Sequence, residues 1–290
     1  MRDVAGKTAF ITGGASGMGL GMARAFAEAG MQVMLADIDA EALERAEADL
    51  KERGARVSSI VCDVTKEKSV FDAAEATIDV FGKVHVLCNN AGVAAGGRFD
   101  ELSQSDWDWV IAVNQLGVVY GIRAFLPKIK SHGEGGHIVT TSSMAGLVNS
   151  GAGWGPYAST KYAVVALSEV LYSELKGTNI GCSVLCPGAV ATNIGKAGRH
   201  RPAEYGRSSR PAVVVGDEQN FDRLLSEGMD PDVVGRLVLE GIQQDQFYLF
   251  TDPRMQVWVE RRFERIRRGF EWSARSQALV DASAPGAISD

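Results

Sequence analysis

Seven short, largely apolar runs, separated by segments with apolar residues at helical spacing, limit what this chain can fold into more than any other feature. The runs fall at 8–11, 32–36, 57–62, 84–88, 137–141, 181–185 and 246–250. They are apolar on successive residues rather than on alternate ones, as in strands buried on both faces. Between them, 20–29, 40–53, 70–81, roughly 106–130, 157–175 and 231–243 carry helical spacing. Gly30 stands where the first helix needs a residue free to turn left-handed, and Asp39 stands where the second needs an N-cap. Strands alternating with helices predict an α/β fold on a doubly wound parallel sheet.

The turn after the first strand reads Thr12-Gly13-Gly14-Ala15-Ser16-Gly17-Met18-Gly19. Glycines there let the backbone approach a pyrophosphate while the helix N-terminus faces its negative charge; a plain tight turn is the alternative. Asp37 ends the second strand eighteen residues past Gly19, where a carboxylate can accept hydrogen bonds from an adenosine ribose. It would repel a 2′-phosphate, and neither Ser16 nor Ile38 supplies a cation, so NAD is expected over NADP.

Tyr157 and Lys161 are four residues apart and share a helix face. To act as a base near neutral pH, a phenol of pKa ~10 must come down by about three units, or ~4 kcal/mol. A cation ~4.5 Å away at an effective dielectric of about 20 supplies roughly that much. With a dinucleotide site nearby, this pair points to alcohol–ketone redox chemistry.

These residues resemble the short-chain dehydrogenase/reductase family over 7–192, which implies a Rossmann-type fold. The resemblance rests on the Thr-Gly-x-x-x-Gly-x-Gly loop at Thr12 to Gly19, on Asn89-Asn90-Ala91-Gly92, and on Val113-Asn114. It continues in Thr141-Ser142-Ser143-Met144-Ala145-Gly146, Tyr157-x-x-x-Lys161 and Pro187-Gly188-x-x-x-Thr192. It implies that Tyr157 is the base in oxidation and the acid in reduction, that Ser143 holds the substrate oxygen, and that Lys161 lowers the Tyr157 pKa and holds the nicotinamide ribose. It further implies that Asn114 positions a proton-relaying water. Cofactor contacts are implied for Gly13, Ser16, Gly17, Met18, Gly19, Asp37, Tyr157, Lys161, Pro187 and Val190. Asp63 and Val64 would frame the adenine, Asn90 would contact the adenosine ribose, and Thr192 would hold the carboxamide region. Ser143 lies fourteen residues before Tyr157, one more than in many relatives, and Gly151 to Gly155 can absorb the extra residue. Ser143 is preferred to Ser142 because Gly146 follows it at the family spacing.

The chain has 290 residues, 46% of them apolar, and no repeat or linker that marks a boundary. A single Rossmann-type dehydrogenase domain is expected over 1–252, including a substrate loop at 189–230 that acts as a lid, mobile until ligand binds. A C-terminal helix and tail follow at 253–290, not a separate domain. The helix is expected from an apolar stripe, Met255, Val259, Phe263, Ile266 and Phe270, with fraying from about 276. Trp154, Tyr205, Phe221, Leu224 and Leu225 would give a roomy apolar pocket.

A net charge of −6 argues against nucleic-acid binding. No leader is read at the N-terminus and no apolar stretch is expected to span a membrane, so a cytoplasmic protein is expected, with a small-molecule substrate and a homodimeric or homotetrameric assembly. The four cysteines match no zinc motif and are expected to be reduced buried thiols, and no metal is expected. Trp107 and Trp109 are expected to pack. His85, His132 and His137 have no metal-like partner nearby in sequence, and His200 is expected to be solvated.

The function expected is hydride transfer between NAD and a bulky, mostly apolar secondary alcohol or ketone. The long loop and added helix are similar to those of short-chain dehydrogenases acting on aromatic or alicyclic alcohols, including lignin-derived aryl ethers. A steroid or terpenoid ketone reductase and a 3-oxoacyl-carrier-protein reductase are the alternatives, the latter weakened by Asp37. A non-catalytic dinucleotide sensor would have no use for the Ser143, Tyr157 and Lys161 set.

Overall fold

The computed structural model describes residues 1–148, 151–208 and 223–280. The chain divides into two compact units, Met1–Thr251 and Asp252–Asp290.

In the first unit seven parallel strands form one sheet in the order β3-β2-β1-β4-β5-β6-β7. They are β1 (Thr8–Thr12), β2 (Gln32–Asp37), β3 (Val57–Val61), β4 (Val86–Asn89), β5 (Gly136–Thr141), β6 (Ile180–Cys186) and β7 (Tyr248–Phe250). Helices α1 (Gly17–Glu28), α2 (Ala40–Glu52) and a late helix, Pro231–Gln244, cover one face. Met22, Phe26, Leu43, Leu50, Val234 and Val238 are buried there against Ile11 and Leu35. The other face carries α3 (Glu67–Phe81), helices over 104–131 and α6 (Gly155–Glu174), with Val70, Phe125, Ile129 and Leu171 buried around Phe10. The Phe10 and Phe125 ring centroids are 4.3 Å apart, and burying a side chain of that size contributes about 1.5–3 kcal/mol. Chain order reverses between β1 and β4, which opens a crevice at the carboxyl ends of the strands.

The helix expected near 106–130 is one helical run in three parts: α4 (Gln104–Ile111), a π-turn (Ala112–Leu116) and α5 (Gly117–Ser131). Ser103 and Asp106 form a capping box at its start. The 28-residue run Gln104–Ser131 is long and apolar enough to cross a membrane by length and composition, contrary to the expectation that no stretch is. Its apolar character has a core explanation, because Val110, Ala124, Phe125 and Ile129 are buried within the unit.

The loop expected to be irregular is fastened at its two ends, after β6 and before the helix that follows. Val190 bridges Met229; Ala191 N donates to Met229 O at 2.9 Å and Met229 N to Ala189 O at 3.0 Å. Between them lie 3-10 turns at Ile194–His200 and Ala203–Tyr205 and a helical turn at 223–226. Phe221 lies outside the described residues. After the loop comes α7 (Pro231–Gln244), started by Asp230 as N-cap.

The second unit contains a 3-10 turn (Pro253–Met255), α8 (Gln256–Ala274) and a short α9 (Gln277–Val280). The apolar stripe does form a helix. Of the stretch expected to fray from 276, residues Gln277–Val280 form α9 and 281–290 lie outside the described residues.

Candidate active site

The glycine turn is built for close approach. A Cβ on Gly19 would stand 2.0 Å from Gly13 O, and Gly17 has φ +52 with Thr192 Cγ2 3.1 Å from where its Cβ would be. Gly17 thus admits both a left-handed backbone and the methyl of Thr192. Ser16 is the N-cap of α1 but makes no side-chain cap bond, whereas Asp39 caps α2 by accepting from Ala42 N. The α1 amides consequently face the crevice without a side-chain acceptor, the arrangement that suits a phosphate. This cradle fits the pyrophosphate of a dinucleotide.

Asp37 ends β2 beside this turn and accepts from Ala15 N (3.2 Å) and Asp39 N (3.2 Å). Capping of α2 falls to Asp39, which leaves Asp37 to brace the glycine turn. Asp63 orders the loop after β3 by accepting from Thr65 N (2.9 Å) and Thr65 Oγ1 (2.7 Å), and Val64 packs against Gly117. Asn90 is more deeply engaged than expected. Its amide donates to Thr12 O (3.1 Å) and Gly13 O (3.4 Å), and its Oδ1 accepts from Thr141 Oγ1 (3.2 Å). Asn90 therefore ties together the loops after β1, β4 and β5, and its side chain has no hydrogen left for a ribose.

Tyr157 enters on the first turn of α6, where Ser143 is near enough to act on the pKa of its phenol, while the Ser142 hydroxyl turns away to donate to Lys161 O at 2.8 Å. Lys161 is buried and donates from Nζ to Thr141 O at 2.9 Å, with Nζ 5.6 Å from the Tyr157 ring centroid. The expected lowering of the phenol pKa by this cation is corrected here. Burial raises the Tyr157 pKa, with the Ser143 hydrogen bond opposing, and burial lowers Lys161 to about 8, with Cys186 opposing. Loss of water is the largest cause of both shifts, and neither group figures among the causes of the other's.

Asn114 sits in the π-turn, a form of helix common at functional positions. Its Oδ1 accepts from Val93 N (2.8 Å) and its Nδ2 donates to Val93 O (2.9 Å) and Thr160 Oγ1 (3.2 Å). A Cβ on Gly92 would lie 3.5 Å from both Asn114 Oδ1 and Lys161 Nζ, so glycine keeps open the space between them. Pro187 O accepts from Met144 N at 2.9 Å and holds the serine loop, while Val190 is buried in the core under the glycine turn.

Aromatic side chains stand next to the phenol. Trp154 is edge-on to Tyr157 at 5.7 Å, and Gly97 pairs with Trp154 in a bridge that brings Phe99 and Trp107, 5.4 Å apart, against Gly155. Sequence reasoning missed Phe99 altogether; an exposed phenylalanine in a loop gives no local signal. The segment 194–208 docks on α4. Ala197 and Tyr205 pack with Trp109 and Val113, and Arg201 pairs with buried Asp106. His200 is not simply solvated, since its Nε2 lies 3.4 Å from Asp39 Oδ2. Leu224 is exposed and Leu225 half-buried.

Elsewhere, His85, His132 and Glu134 come within 4.8 Å of one another, a grouping their spacing had hidden. Their hydrogen bonds account for them without a metal. His85 Nδ1 accepts from Thr8 N, its Nε2 meets Glu134, His132 Nε2 meets Val84 O, and His132 Nδ1 accepts from Glu134 N. Lys7 and Lys83 complete the pairing of Glu134. The four cysteines are free and buried.

The sequence profile of the short chain dehydrogenases matches residues 7–203. The chain belongs to the short-chain dehydrogenase family. Cα-dehydrogenase of Sphingobium sp. is 35% identical over 289 residues, 98% of this chain and 89% of that one. A 1-deoxy-11-beta-hydroxypentalenate dehydrogenase of Streptomyces exfoliatus is 34% identical over 264 residues, 90% of this chain and 89% of that one. The crystal structure of a short-chain dehydrogenase/reductase from Burkholderia phymatum in complex with NAD has a TM-score of 0.87 at 38% identity, covering 93% of this chain and 97% of that one. One from Burkholderia cenocepacia in complex with NADP has 0.73 at 26% identity, covering 86% and 98%. The family places this chain among oxidoreductases that bind a nicotinamide dinucleotide and act on hydroxylated small molecules.

Proposed function

We propose that this short-chain dehydrogenase oxidises a bulky, mostly apolar secondary alcohol, aromatic or alicyclic, with NAD, and reduces the matching ketone in reverse. The observation that carries the reading is Tyr157 brought beside Ser143 and buried Lys161, whose Nζ lies 5.6 Å from the Tyr157 ring centroid, in the crevice that the uncapped α1 N-terminus faces. A nicotinamide dinucleotide bound in that crevice supplies the hydride acceptor or donor. Gly13, Ser16, Gly17, Met18 and Gly19 hold its pyrophosphate; Asp37, Asp63, Val64 and the Asn90 main chain line the adenosine side; Pro187, Val190 and Thr192 border the nicotinamide side. Ser143 donates a hydrogen bond to the substrate oxygen, and Tyr157 takes the hydroxyl proton in oxidation or gives it in reduction. Lys161 holds the ribose, and Asn114 orders the water through which protons leave.

Asp37 supports NAD over NADP, because a 2′-phosphate beside that carboxylate brings like charges together. Trp154, Phe99 and Trp107 near the phenol favour a large apolar or aromatic substrate. The pentalenate dehydrogenase relative keeps a terpenoid or steroid alcohol as the second reading. We place the protein in the cytoplasm as a homodimer or homotetramer, without nucleic-acid or membrane partners. The test is a panel of aryl, alicyclic, steroid and 3-oxoacyl substrates with NAD and with NADP, followed at 340 nm. Turnover confined to 3-oxoacyl thioesters with NADP would overturn the reading.

A further inference from the structure

We propose that α8 pairs antiparallel with α8 of a second copy of this chain, through a seam of Val259, Phe263, Ile266 and Phe270. Taken by itself, α8 has no buried residue, and Phe263, Ile266 and Phe270 are 58%, 41% and 73% exposed. These four residues step by four, three and four along the helix, which puts them on one stripe at the a and d positions of a heptad. Trp258 and Trp272 fall off that stripe.

The charges beside the stripe choose the partner and its direction. With Phe263 and Phe270 at position a, Glu260 and Arg267 occupy e, and Arg262 and Gly269 occupy g. A parallel, in-register pair would set Arg262 of one copy against Arg267 of the other, like charges that repel. An antiparallel pair about a two-fold axis sets Val259 against Phe270 and Phe263 against Ile266 of the second copy. Each Glu260 then flanks Arg267 of the other copy, twice by symmetry, and position 262 falls opposite Gly269, so no two arginines are brought together across the seam. The stripe is self-complementary, as an isologous two-fold contact requires. Arg267 is already held in line by Glu264 and Glu271 on its own helix, so the contact extends an existing charge network. A membrane surface fits less well, because Glu260 at the edge of the stripe would meet anionic headgroups.

The test is disulfide trapping in the full-length chain, whose own four cysteines are buried. Under mild oxidation, V259C/F270C should give a reducible covalent dimer, while Val259→Cys and Phe270→Cys alone should not. The two positions are too far apart along one helix to close within a chain. Adding Arg267→Glu should cut the dimer yield severalfold, and adding Glu260→Arg to that variant should restore it. A purely local effect on helix stability would not be rescued in this way, because residues 260 and 267 lie two turns apart. If V259C/F270C does not fold, a mixture of the Val259→Cys and Phe270→Cys proteins asks the same question through a mixed disulfide. No dimer from a folded double variant, equal trapping in the single variants, or a yield indifferent to the charges would overturn the proposal. So would sedimentation of the unaltered protein with phosphatidylserine vesicles in place of trapping, in favour of a membrane contact.

Discussion

Arg201 and Asp106, 95 residues apart in the chain, form an ion pair closed to water: Nη1 lies 2.5 Å from Oδ1, and the side chains are 4% and 0% exposed. The guanidinium also lies over Trp109 at 5.2 Å and donates to Tyr205 O and Ser105 Oγ, while Asp106 accepts from Ser103 and Ser208. Removing one partner strands a buried charge, which costs about 3–5 kcal/mol. Arg201→Met and Asp106→Leu should each destabilise the fold by about that amount. The double variant should lose clearly less than the sum, because neither charge is then left alone. Urea denaturation of the four proteins measures the coupling, and strict additivity would refute it.

Two buried bases should give stability a definite pH dependence. Burial brings His137 down to about 3 and Lys161 to about 8, from ordinary values of 6.5 and 10.5. In both cases the unfolded chain binds the proton more readily, so stability rises with pH across each window. Acidification from about pH 6.5 towards 3 should weaken the fold through His137, whose Nε2 is held by Ser183 inside the core. Alkalinisation from about pH 8 to 10.5 should strengthen it through Lys161. At neutral pH the buried ammonium costs roughly 3 kcal/mol, at about 1.4 kcal/mol per pKa unit. Lys161→Met should therefore stabilise the fold at pH 7 by up to that amount while removing activity, and the gain should shrink above pH 8. Denaturation midpoints at pH 5, 7 and 9 check both signs.

Cofactor choice should turn on Asp37. Its oxygens accept from Ala15 N and Asp39 N, so Asp37→Asn keeps an acceptor for the turn while removing the charge. The ratio of kcat/KM with NAD to that with NADP should fall by roughly ten- to a hundredfold, about 1–3 kcal/mol, mostly through better use of NADP. An unchanged ratio in the variant would place the discrimination elsewhere.

The strands and the order of the motifs were legible because they depend on local pattern. Apolar runs marked every strand within a few residues, and Asp39 could be recognised as a cap from its position alone. The place of Gly146 singled out Ser143 over Ser142, and in the structure the Ser142 hydroxyl donates to Lys161 O. What stayed hidden depended on distance in the chain or on solvent. Nothing near Arg201 announces Asp106, nothing near His85 announces Glu134, and a π-turn at Asn114 leaves no trace in apolar spacing. The Tyr157 pKa was misjudged for a sharper reason. Four-residue spacing gives the separation of two side chains along a helix, but the outcome also depends on how much water each loses, and that is set by the fold around them.

That correction leads to the prediction for the proton step. With its pKa raised by burial, Tyr157 carries its proton at neutral pH, which suits the acid in ketone reduction more than the base in alcohol oxidation. Oxidation should then speed up as the pH rises into the alkaline range, where the proton can leave the Tyr157 and Lys161 pair, and reduction should slow over the same range. Tyr157→Phe should lower kcat in both directions by at least ~10²-fold, with cofactor affinity nearly intact, because a positioned proton donor or acceptor is worth about 10²–10⁴-fold. Ser143→Ala should also lower kcat, since it removes a donor for the substrate oxygen. If the rise with pH belongs to the Tyr157 and Lys161 pair, the residual activity of Tyr157→Phe should no longer follow it. Rate profiles in both directions, together with cofactor binding by fluorescence titration, decide the matter. A folded Tyr157→Phe protein that keeps the same alkaline rise would remove Tyr157 from the proton step.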